Sequence, residues 1–94
     1  MSVQFQKFDL SFDPIKMTCA IAVPMGSEIL ADRINPQDSP ENINLWLLVD
    51  PEITDTYDRT FMLIGDDVDL PASYKKYFTT FRDDAGAPLH LIEI

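Results

Sequence analysis

The chain of 94 residues holds one thiol, Cys19, and one imidazole, His90. A cysteine thiolate activated by a histidine would be a nucleophile for acyl transfer. The local sequence argues against that chemistry. Cys19 falls on the apolar face of KMTCAIAV with Met17, Ile21 and Val23, where a free cysteine behaves as a small buried hydrophobe. His90 alternates with Leu89 and Leu91, the setting of a packed or partly exposed strand residue. No loop motif surrounds either one, so no catalytic residue is expected and the chain reads as a non-enzyme.

Asp66, Asp67 and Asp69 raise the question of a metal. A calcium loop takes alternating oxygen ligands with a glycine inside the loop and a distal glutamate. Here Gly65 precedes the acids and no glutamate follows at the required distance. Zinc would need thiolate or imidazole ligands in numbers this chain lacks. Gly26, Gly65 and Gly86 stand singly in turns, so no glycine-rich phosphate cradle exists. Neither metal nor cofactor is expected.

Two constellations remain. Arg33, Arg59, Lys75, Lys76 and Arg82, with Tyr74 and Tyr77 and the further aromatics Trp46 and Phe78, would suit an anionic ligand whose base stacks on a ring. That pattern describes a homo-oligomeric sponge for a nucleotide-like signal, its pocket built between subunits. The competing reading puts the aromatics in the core, which a chain this small needs, and the bases in solvent.

The second constellation is acidic. Sixteen acids and seven bases give a formal charge of −9. Asp38, Glu41, Asp50, Glu52, Asp55, Asp58, Asp66, Asp67 and Asp69 are opposed in that stretch only by Arg59. Nine acids less one base make −8 there, leaving −1 for the rest of the chain. Such a field repels nucleic acid and anionic membranes and attracts basic protein surfaces. Solubility alone is the plain alternative.

The elements that would carry these residues are strands. A hydrophobic content of 46% fits one folded domain over residues 1–94. A single cysteine needs no oxidising compartment. MSVQFQKFDLSF resembles neither a signal peptide nor a membrane span, and no apolar run approaches ~18 residues, so a soluble intracellular protein is expected. Period-two alternation marks KMTCAIAV, EILADRI and LHLIEI. In the first segment Val3 and Phe5 share one parity and Phe8, Leu10 and Phe12 the other, which a β-bulge near Gln6–Lys7 would reconcile. LWLLV and FMLI, apolar on both faces, read as central strands covered on both sides and joined as a hairpin by PEITDTYD. Residues 35–42, NPQDSPEN, read as a loop. Pro71 to Lys76 suits one or two helical turns before a strand from Tyr77 to Arg82. The expected fold is mainly β: a compact antiparallel sandwich or barrel of about seven strands with at most one short helix.

The order VPMGSEIL, LWLLVDP, DRTFMLIG, YFTTF and terminal LHLIEI resembles a family of small, largely uncharacterised tailed-bacteriophage proteins. In that family a β-hairpin of this kind ends in a proline after the acidic residue, and the last strand carries a histidine. The resemblance covers about residues 20–94; Asp66-Asp67 after Ile64-Gly65 departs from the small uncharged residues expected there. It implies a phage origin and a place in the cytoplasm of the infected bacterium. With the charge map, it leads to a non-enzymatic protein that binds a host protein with a basic surface, in nucleic-acid handling or anti-phage defence. A virion or assembly accessory subunit is the remaining alternative.

Overall fold

The computed structural model describes residues 3–36 and 42–94. Seven strands run in the order β1 (Gln4–Ser11), β2 (Thr18–Pro24), β3 (Glu28–Pro36), β4 (Asn42–Val49), β5 (Thr56–Ile64), β6 (Lys76–Arg82) and β7 (Pro88–Glu93). They form a three-stranded sheet, β1-β4-β3, and a four-stranded sheet, β2-β5-β7-β6, in which every pair is antiparallel. Among the described residues there is no α-helix. The expected sandwich is therefore the observed one.

Alternation builds the core. β4 turns Ile43, Leu45, Leu47 and Val49 inward, and β5 and β7 answer with Phe61, Leu63 and Leu91, all buried in one cluster with Leu10 and Val23. Phe78 closes it against the Phe61 ring, centroids 5.9 Å apart. Each of these side chains, fully buried, contributes about 1.5–3 kcal/mol over leaving it exposed.

Several local expectations need correction. LWLLV and FMLI are both central, but they are not a hairpin. β4 pairs with β1 and β3, whereas β5 pairs with β2 and β7, so residues 50–55 arch from one sheet to the other. No bulge lies at Gln6–Lys7: β1 holds one register against β4 from Gln4 to Ser11. Its phase change has another origin. Phe8 and Leu10 point into the core, while Phe5 points out and is 61% exposed. The bulges lie instead in β3, between Ile29 and Ile34, and in β6, between Tyr77 and Thr79. The first sends both isoleucines inward, which simple alternation in EILADRI does not. Pro71 opens a single turn, closed by the Tyr74 N–H on the Pro71 carbonyl at 3.0 Å, in place of a helix. Asn35, Pro36 and Asn42 belong to strands rather than to a loop.

Residues 65–75 join β5 to β6 past the intervening β7, and the inner face of that sheet is already filled by the core. The segment therefore crosses the outer face. Ile64 and Ile92, whose parity directs them outward, are 5% and 1% exposed beneath it.

Candidate functional site

The acidic set is split by the fold. Asp38 and Glu41 lie outside the described residues. Asp50, Glu52, Asp55 and Asp58 gather where the arch crosses between the sheets, and Asp66, Asp67 and Asp69 follow the opposite end of β5. Asp58 lies within β5 and Asp66 just past its end, so eight residues of extended chain, about 26 Å, separate these two. Charges consecutive in sequence thus do not tile one face of the chain. Asp50 also serves its own turn, accepting the Glu52 N–H at 3.0 Å. Glu28, opposite Leu48, adds an exposed acid at the arch end that the sequence reading did not include.

Arg59, the base inside the acidic run, does not neutralise its neighbours. Its Nε and Nη2 donate to the Glu93 carboxylate at 2.7 and 2.5 Å, and Nη1 donates to the Ser27 carbonyl at 3.4 Å. The two side chains are only 12% and 9% exposed. The hydrogen bonds that Arg59 donates to Glu93 raise the guanidinium above its ordinary value against the opposing effect of burial, so it stays a cation throughout the ordinary pH range. The placement was readable in outline: Arg59 shares the parity of Phe61 and Leu63, and Glu93 that of Leu91. Two opposite charges on apolar strand faces are a pairing signal.

The basic and aromatic set is also dispersed. Arg33 lies on the outside of the three-stranded sheet, its guanidinium carbon 4.3 Å from the Trp46 ring centroid and 5.6 Å from that of Phe5. Arg82 donates to the Gly86 carbonyl at 2.8 Å within the β6–β7 turn. Lys76 Nζ sits 5.5 Å from the Phe78 ring centroid. Tyr74, Lys75, Lys76 and Tyr77 remain contiguous and exposed, while Arg33 belongs to the other sheet and Arg59 to the buried pair.

His90 joins a polar chain that sequence spacing did not reveal. Asp66 Oδ1 lies 2.5 Å from His90 Nε2, His90 Nδ1 2.8 Å from Thr80 Oγ1, and Thr80 Oγ1 2.7 Å from the Tyr77 hydroxyl. With the proton on Nε2, Tyr77 donates to Thr80, Thr80 to Nδ1, and Nε2 to Asp66, so every group is satisfied. The chain pins the start of the crossover to the outer face of the four-stranded sheet. Among the described residues no three His, Cys, Asp or Glu side chains are grouped to hold a metal ion. Cys19 is a half-buried residue packed against the core.

The other outer face carries apolar groups that no crossover covers among the described residues. Val3 and Phe5 are 55% and 61% exposed, and Trp46 and Leu48 are half-buried beside them.

Residues 1–94 match the family described as a domain of unknown function, DUF7352, and the chain belongs to that family. No curated protein and no solved structure matches it.

Proposed function

We propose, with membership of that family as the premise, that the chain is a non-enzymatic binding protein. Its arch-end acids engage a basic surface on another protein. The observation that carries this reading is the state of Arg59. Turned inward and neutralised by Glu93, it forms no ion pair with Asp50, Glu52, Asp55 or Asp58, and none of these four has an ion-pair partner among the described residues. Exposed carboxylates of one sign accelerate encounter with a basic partner and disfavour anionic ones. The sequence resemblance supports a bacteriophage setting, with the partner a host protein of nucleic-acid handling or anti-phage defence in the bacterial cytoplasm.

The test is capture from bacterial lysate followed by titration of the captured partner. The expected result is saturable binding that weakens with added salt and falls about tenfold or more in the variant carrying D50N, E52Q, D55N and D58N together. Binding indifferent to salt and to those changes overturns the reading.

A second reading, a virion or assembly accessory subunit, is favoured by the exposed Val3 and Phe5 beside the half-buried Trp46 and Leu48 on the three-stranded sheet. Its readout is a large, salt-resistant oligomer that Phe5→Ser dissociates. The nucleotide sponge, by contrast, draws on bases that lie on separate sheets of one chain, so only convergence between subunits supports it.

A further inference from the structure

Four strands end the two sheets, and three of them carry devices that discourage pairing with another chain. β3 is bulged and ends in Pro36, β6 is bulged, and β1 bears Lys7 and Asp9. β2, TCAIAVP, also ends in a proline, Pro24, but it has neither charge nor bulge and runs in unbroken register along β5 from Thr18 to Pro24.

Its backbone pattern shows which groups are free. Leu63 N–H donates to the Met17 carbonyl at 3.0 Å, and Met25 N–H to the Asp55 carbonyl at 2.9 Å. In an antiparallel ladder the residues directing both groups at the partner alternate, so Cys19, Ile21 and Val23 bond to β5. The even-numbered residues face away, as the Asp13 N–H donating to the Thr18 carbonyl confirms. The Thr18 and Pro24 carbonyls are thus occupied, the latter by Ser27. Ala20 and Ala22 are exposed, and their outward N–H and C=O groups have no hydrogen-bond partner among the described residues.

We infer that β2 is a docking edge that takes an extended basic segment of a partner protein as a fifth strand of the four-stranded sheet. The sign of that segment rests on the acidic reading above. Asp58 lies opposite Ala22 on the same outer face, exposed and in no ion pair among the described residues. An added strand would run about 4.8 Å from β2 and about 10 Å from β5. A lysine or arginine on it therefore reaches Asp58 across the Ala22 methyl, which a larger side chain would block. On the inner face an apolar residue of the incoming strand would extend the core beside the half-buried Cys19 and Ile21. The preferred segment alternates apolar and basic residues. A second copy of β2 offers no base and brings a further net charge of −9, so charge favours the basic segment over self-pairing.

The probe is a ten-residue peptide alternating valine and lysine. It is compared with its glutamate counterpart and with the same peptide N-methylated on the alternate amides that would face β2. Titration calorimetry and amide exchange on the intact protein are the readouts. The lysine peptide is expected to bind saturably and to protect the Ala20 and Ala22 amides. N-methylation and Ala22→Pro, which removes a free N–H, each weaken it about tenfold or more, and Asp58→Asn a few-fold. If N-methylation and Ala22→Pro change nothing, the edge inference fails while charge-driven docking stands. No binding, or equal binding of the glutamate peptide, also overturns it. Protection of Ala20 and Ala22 that rises with protein concentration alone would assign the edge to a second copy and overturn the basic segment. If Ala22→Pro does not fold, the N-methylated peptide and wild-type exchange decide.

Discussion

The outer faces of the two sheets start from similar strands and end differently. On the four-stranded sheet the chain returns over its own surface, so Ile64 and Ile92 are buried and His90 holds Asp66 of the crossover. On the three-stranded sheet the described chain supplies no such cover, and Arg33 lying across Trp46 and Phe5 is the main shield. An apolar residue on a strand's second face thus means burial in one sheet and a partly wetted surface in the other. Topology makes the difference: β6 follows β5 directly in the chain and lies parallel to it beyond β7, which forces a crossover, whereas β1 and β3, likewise parallel about β4, are joined through β2 of the other sheet.

The largest effect that would break this comparison is at Ile92. Ile92→Ala should cost about 2–4 kcal/mol in urea unfolding, and Phe5→Ala on the open face less than about 0.5 kcal/mol. Equal costs would mean that the crossover is no real cover. Glu93→Gln should come next, at about 2–3 kcal/mol, because it leaves a largely buried guanidinium facing a neutral amide. That loss should persist at high salt, unlike the effects of the exposed arch acids. His90→Ala should cost about 1 kcal/mol and speed amide exchange selectively in residues 65–75, since it frees the crossover from the sheet. Exchange rising equally in both sheets would remove the clasp from the explanation.

The smallest expected effect is a pH dependence at the β1–β2 corner. The Asp13 carboxylate accepts the Lys16 and Ile15 N–H groups, which hold its pKa below the ordinary value of 3.8. A folded-state pKa below the unfolded one contributes stability that is present above the unfolded value and lost as pH falls through the folded one. Stability should therefore decline below about pH 4 with a component that Asp13→Asn removes. An unchanged acid limb in that variant would assign the decline to other carboxylates.

Much of the fold was legible because one buried face imposes alternation, and alternation is visible residue by residue. KMTCAIAV, LHLIEI and the two apolar central strands all sit where periodicity puts them. The β-bulges were not legible: the extra residues, three in β3 and one in β6, are a property of pairing, and pairing partners lie far apart in sequence. Pro71 and its aromatic spacing suggested helix, but the crossover has to span a strand to reach β6, and an extended path does that where a helical turn would not.

The candidate site divides along the same line. Sequence by itself determined the strand-rich class, the inward faces and the excess of acid in the middle third, since each follows from residue type and near-neighbour spacing. Only the tertiary structure decided that β5 would carry the acids apart, that Arg59 would turn inward to Glu93, and that Ala20 and Ala22 would be left on an open edge. Those outcomes depend on which strands meet, and that is set by the burial of the whole core rather than by any one segment.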